Sequence, residues 1–247
     1  MANESEIIFT DADGRELRRD DLRNYSGMAN FALPGHYEIP DEAAELHQQA
    51  REIGAGGDYD QSIALLLKAH EIAPEWPYPL YDLAFTYLLK QEDEEALKYY
   101  RKVDAMEPRG FFTVKTALHA LEGEAEERFP RGIYLAYLNI EWTQSPEEQY
   151  EIAHELTRAV PSFAPAWKEL ALKTDDVAER LKLLETALEL DCDSDLRGNL
   201  LANKALCLHA QGDERGAIDI LGAMVLAEES EQARQFGAMV LRHILEE

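Results

Sequence analysis

Two stretches of this chain repeat one another at a fixed distance. Residues 77–110 read PYPLYDLAFTYLLKQEDEEALKYYRKVDAMEPRG, where Leu80, Leu83, Ala84 and Tyr87 precede Ala96, Tyr100, Val103 and Pro108. The stretch before it sets Leu46, Ala50 and Ile53 ahead of Ser62, Leu66, Ala69 and Pro74, and Pro74 and Pro108 stand 34 residues apart. Apolar residues three and four apart share one helix face, so each stretch spells two amphipathic helices closed by a proline. Such a pair cannot bury its apolar face alone. Neighbouring pairs must cover it, and the period therefore predicts a stack rather than one central core.

The order large, large, small, aromatic, then small, aromatic, small, Pro resembles the tetratricopeptide (TPR) repeat. The resemblance is close over residues 42–110 and looser over 131–228. It implies an all-α fold, a right-handed solenoid of about five helical hairpins. It also implies a function: holding a peptide or protein on a concave face lined by the first helix of each repeat. The junction Arg109-Gly110-Phe111-Phe112 and the first 40 residues lie outside the general pattern and look like features of a bacterial subfamily.

Residues 1–40 read as a small extension folded onto the first repeat, with the solenoid running from 41 to 247. Glu6 to Thr10 has strand character, Asp11-Ala12-Asp13-Gly14 is a turn signal, and Arg15 to Arg23 suits a short helix. Asp41, after Pro40, is expected to cap the first helix. The third repeat begins regularly with Val114, Ala117, Leu118 and Leu121, but Gly123 and Pro130 interrupt its second half. Proline in a helix interior loses a backbone bond and clashes, so a longer connector and a changed stacking angle are expected there. Periodicity resumes at Ile133, Ala136, Tyr137 and Ile140. Ser145-Pro146-Glu147-Glu148 is a strong helix start. Trp167 follows Pro161 by the six residues that separate Leu80 from Pro74 and so opens a new unit. A last unit holds Leu201, Ala205, Leu208, Ala217, Leu221 and Met224, and residues 230–245 read as a helix capping the final apolar face.

Composition narrows the functions. The chain carries 49 Asp and Glu against 24 Lys and Arg, a formal net charge of −25. Acids outnumber bases in each of residues 1–41, 42–110, 111–163 and 164–247, so the charge belongs to the whole body and not to a tail. Such a body repels phosphate backbones and anionic bilayers, so neither nucleic acid nor membrane is an expected partner. Two cysteines, Cys192 and Cys207, make no disulfide framework, and the start MANESEIIFT lacks the pattern of a signal peptide. The reading is cytoplasmic.

Catalytic and ligand-binding patterns fail one by one. Gly54-Ala55-Gly56-Gly57 lacks the Lys-Ser/Thr of a phosphate loop and sits between helices. Aligning Gly14 with the glycine of a calcium loop puts Phe9 at the first ligand position. Cys207-Leu208-His209 has no second ligand pair, and no Gly-x-Ser-x-Gly elbow occurs. No enzyme activity, cofactor or metal is expected.

The TPR resemblance also implies which residues face the groove. They are His47 and Arg51 in the first repeat, Tyr78, Tyr81, Asp82, Phe85 and Leu89 in the second, and Phe112, Lys115 and His119 in the third. The candidate peptide-binding set is His47, Arg51, Tyr78, Tyr81, Phe85, Phe112, Lys115 and His119. Two fixed cations, two histidines and four aromatics suit an acidic or carboxylate-ended peptide. Two structural readings stand beside this one: Tyr78 and Phe85 packing on the N-terminal extension, and Lys115 pairing with Glu122 or its neighbours. The set departs from the TPRs that hold chaperone tails through Lys and Asn, because Arg51 occupies an Asn slot, Phe85 and His119 stand at the equivalents, and no paired Asn appears. The function read from the sequence is an adaptor or scaffold that binds a protein or peptide. The alternative is a secretion-chaperone or immunity-like protein that sets an acidic outer face on a basic client.

Overall fold

A computed structural model describes residues 8–10, 30–32, 37, 39–227 and 230–245, with backbone alone at the first two stretches. Those two are the strands β1 (Ile8–Thr10) and β2 (Asn30–Ala32), paired antiparallel with Phe9 opposite Phe31. The expected strand is therefore present, but its partner lies beyond residues 11–29, not across a tight hairpin. The expected turn at 11–14 and helix at 15–23 fall outside the described residues.

The rest of the described chain is helical: α1 (Asp41–Ala55), α2 (Tyr59–Ile72), α3 (Tyr78–Leu89), α4 (Asp93–Met106), α5 (Val114–Ala125), α6 (Ile133–Trp142), α7 (Pro146–Ala159), α8 (Ala164–Leu172), α9 (Val177–Glu189), α10 (Ser194–Ala210), α11 (Glu214–Leu226) and α12 (Glu231–Leu245). The chain divides into two compact units, residues 35–122, and residues 1–34 with 123–247.

In the unit of residues 35–122, α1 packs on α2, α2 on α3, and α3 on α4. The repeated small residues set these approaches. Ala50, Ala69, Ala84 and Ala96 are fully buried. Ser62 donates its hydroxyl to the Ala50 carbonyl at 2.8 Å, and a Cβ on Gly54 would stand 3.0 Å from the Ser62 Oγ. Asp41 is not the cap of α1. Pro40 holds that position with no side-chain bond, and Asp41 lies in the first turn, where its charge still favours the helix dipole.

In the other unit α6 to α12 pack in succession, and α12 lies on both α10 and α11. The connector between α5 and α6 spans residues 126–132, against three residues between α1 and α2 or α3 and α4. Pro130 lies in it. The helix beyond starts from a borrowed cap: the Glu124 carboxylate accepts from the Gly132 amide at 2.8 Å and the Tyr134 amide at 3.0 Å. Ser145 caps α7 as expected, accepting from the Glu148 amide at 3.3 Å. Trp167 closes the turn after Pro161 by donating its indole N–H to the Pro161 carbonyl at 2.9 Å. The closing helix α12 comes close enough that a Cβ on Gly198 would meet the Ala233 side chain at 2.1 Å. Val240 and Ile244 join Leu221 and Met224 in one core. Among the described residues no helix is long and apolar enough to cross a membrane.

Candidate functional site

The groove set falls on α1, α3, the α4–α5 connector and α5, all within residues 35–122. Its centre is aromatic. Tyr78 meets Phe111 edge-on at 5.0 Å between ring centroids and Phe112 at 5.4 Å; Tyr81 lies 5.8 Å from Phe111 and 5.2 Å from Phe112. Trp76 extends the cluster, 5.9 Å from Tyr78. Phe111 and Trp76 are buried, whereas Tyr78, Tyr81, Phe85 and Phe112 are half-buried on the same stretch. One side of the cluster is core and the other meets solvent.

Backbone geometry sharpens this. Gly110 has φ +113° and Phe112 φ +45°. Glycine accepts a positive φ without steric cost, but a residue with a Cβ pays about 1–2 kcal/mol there. The rings of Tyr78, Tyr81 and Phe111 hold Phe112 in place against that cost. The Tyr81 hydroxyl also bonds the Thr113 hydroxyl at 3.0 Å, which ties α3 to the connector just beyond the strained residue.

Polar residues line one margin. His47 is buried against Trp76, 4.7 Å between centroids, and its Nε2 lies 2.8 Å from the Asp82 carboxylate. Arg51, its side chain 70% exposed, sits 3.6 Å from the same Asp82 oxygen. Burial, and then the charge of Asp82, pushes the Tyr78 hydroxyl above its ordinary range. It remains a neutral donor at physiological pH.

The structure therefore brings together His47, Arg51, Asp82, Tyr78, Tyr81 and Phe112. Phe85 lies one turn beyond Tyr81 on α3. Lys115 is drawn elsewhere: its ammonium pairs with Asp104 at 3.0 Å and is largely buried, so it is not a groove cation. Its partner is Asp104 and not Glu122, whose carboxylate accepts from Arg101. His119 is half-buried on α5, with Nε2 shielded from solvent. Leu89 is half-buried at the end of α3.

Sequence reading missed Trp76 and Phe111, the buried half of the aromatic cluster. Their signal was position, because both flank the ends of the repeat next to Pro77 and Gly110. It also missed a polar set on α6 and α8. Lys168 Nζ lies 2.6 Å from Glu169 Oε1 and 3.1 Å from the Tyr137 hydroxyl, which donates to Glu169 Oε1 at 3.2 Å. The Glu169 side chain is 1% exposed, and its Oε2 has no hydrogen-bond partner among the described residues. Burial pulls the Lys168 ammonium toward deprotonation, but the adjacent Glu169 charge and the bonds to Glu169 and Tyr137 outweigh it, and its pKa is raised. Burial raises the Tyr137 hydroxyl far above its usual range and lifts Glu141, which also feels Lys168 and Glu169. A slot rule would have found these residues: Lys168 and Glu169 follow Trp167 as Tyr81 and Asp82 follow Leu80, and as His47 follows Leu46.

Among the described residues no three His, Cys, Asp or Glu side chains gather as metal ligands would. Cys207 is a free thiol in the core of the unit that holds α6 to α12, Cys192 is a free thiol half-buried against that core, and burial raises both pKa values.

No protein-family model matches the sequence, and no curated protein matches it. Solved structures of similar shape include TPR proteins. A thermophilic TPR protein of Thermus thermophilus is 18% identical at a TM-score of 0.36, covering 82% of this chain and 99% of its own. A TPR protein of Parabacteroides merdae is 16% identical at 0.39, covering 84% and 86%. The TPR2AB domain of yeast Sti1, solved with pHSP90, is 17% identical at 0.39, covering 84% and 87%. At such TM-scores the fold rests on this chain's own helix pairs, in which the 34-residue phrase becomes α1 with α2 and α3 with α4.

Proposed function

We propose that this protein is an interaction adaptor that holds a segment of another protein against the half-exposed aromatic face of α1, α3 and the α4–α5 connector. The observation that carries this is the strained Phe112. A backbone conformation that costs energy is kept where it leaves an aromatic ring half in solvent beside Tyr78 and Tyr81. Large rigid rings supply contact area at low entropic cost, which is why they anchor interfaces. Arg51 is the one cation of the groove set that is largely exposed, and it already shares Asp82 with His47. The face therefore suits a segment that inserts apolar or aromatic side chains and offers a single acid to Arg51, more than a run of acids.

The test begins with capture of the partner by the full-length chain and its identification by mass spectrometry. Phe85→Ala is then expected to weaken that complex by about 2 kcal/mol or more with no loss of helicity by circular dichroism. Arg51→Glu is expected to weaken it chiefly at low salt, because an exposed charge acts mostly on encounter. If both variants bind as the parent does, the aromatic face is not the site.

A further inference from the structure

The chain leading into α1 touches this same face. Tyr37 is half-buried and packs, with Ile72 and Tyr78, against Ala43, Ala73 and Trp76. Its hydroxyl donates to the Glu107 carboxylate, 70 residues further along. Glu107 is the residue that ends α4, so this bond joins the entry of the first helix pair to the exit of the second. Burial raises the Glu107 carboxyl above its ordinary range, and the phenol is the donor that compensates its charge.

Ile39 and Pro40, between Tyr37 and the helix, are exposed. The start of α1 does not need Tyr37, because the Ala43 and Ala44 amides donate to the Pro40 carbonyl. Among the described residues, Tyr37 makes its contacts through its ring and its hydroxyl, and a protein partner can supply both.

Resting on the binding reading above, we infer that Tyr37 is an internal occupant of the aromatic face, covering its Trp76–Tyr78 end until a partner's aromatic side chain displaces it. The contact is autoinhibitory: the apparent affinity of any segment that needs this end falls by the fraction of molecules in which Tyr37 has vacated it.

The experiment supplies the occupant from outside. A fluorescein-labelled peptide carrying residues 33–41, LPGHYEIPD, is titrated by anisotropy into the full-length parent, Tyr37→Phe and Tyr37→Ala proteins. Binding is expected to be tightest to Tyr37→Ala, weaker to Tyr37→Phe and weakest to the parent, spanning about tenfold. The same peptide with Tyr37→Ala should not bind. Equal binding to all three proteins, no binding to any of them, or undiminished binding of the Tyr-less peptide would overturn the inference. Should Tyr37→Ala lose helicity, Tyr37→Phe decides: a few-fold gain over the parent supports the occupant, and no gain removes it. Failure here leaves the binding reading standing, since Phe85→Ala against the captured partner judges that separately.

Discussion

The margin of the aromatic face and the contact of α6 with α8 carry similar bonds but differ in how far solvent reaches the carboxylate, 24% exposed at Asp82 and 1% at Glu169. At the first, His47 on α1 meets Asp82 on α3, and Arg51 leans on the same carboxylate from solvent. At the second, Tyr137 on α6 meets Lys168 and Glu169 on α8 with almost no exposure. Both join the first helices of neighbouring pairs, and both draw on the residues just after the first large residue of a repeat. Water decides what each does. Where solvent reaches the carboxylate and its Arg51 partner, charge is screened and can be lent to a partner; where it does not, a charge left alone has nowhere to go. The wet margin fits a binding surface, and the dry set fits a fixed joint.

Removing one half of the dry joint should have the largest effect. Lys168→Met leaves Glu169 charged and buried, and a loss of about 3–5 kcal/mol is expected in denaturant midpoint. The double variant Lys168→Met with Glu169→Leu should recover most of it, since two apolar groups leave no orphan charge. A single variant that costs less than about 1 kcal/mol would mean that water reaches Glu169, and the contrast with the margin would fall.

A purely steric change calibrates that electrostatic loss. Ala84 and Ala96 are fully buried at the small-residue positions of the best-formed pair. Ala84→Leu is expected to overpack the contact by about 1–3 kcal/mol. Thermal melts would check the register, and no change would show that α3 and α4 meet elsewhere.

Alkaline titration tests the dry set next. The folded-state pKa values of Tyr137 and Lys168 are raised, so the folded chain keeps protons that the unfolded chain releases above about pH 10. Stability from both groups is fully present below that pH and falls as pH climbs further. Tyr137→Phe should flatten this alkaline limb in pH-dependent urea melts. An unchanged limb would assign it to other groups.

The smallest effect is expected at the margin. Arg51→Gln removes an exposed partner of Asp82 and should cost no more than about 1 kcal/mol, diminishing with added salt. A larger, salt-insensitive loss would make Arg51 part of the fold and remove it from the binding surface.

Much of this architecture could be read along the chain. Small residues such as Ala50, Ala69, Ala84 and Ala96 recur because two helices approach there, and that demand is local and periodic. The cap of α7 was legible in Ser145-Pro146, since a side chain meets an amide three residues away. Asp41 misled because the helix begins at Asp41 itself, one residue earlier than expected, with Pro40 at the cap position. The connector after α5 announced itself through Pro130, but the carboxylate that starts α6, Glu124, did not, because its partners lie eight and ten residues ahead.

The candidate site divides in the same way. The TPR resemblance put His47, Tyr78, Tyr81 and Phe112 on one surface, and spacing along α3 is why Tyr78 and Tyr81 share a face. It could not say that Lys115 would turn to Asp104, that Phe112 would be held at a positive φ, or that Tyr37 would reach Glu107. Those contacts span 11 to 70 residues of sequence, and only packing brings their ends together. A residue's face follows from its own helix, and its partner follows from the neighbour that arrives.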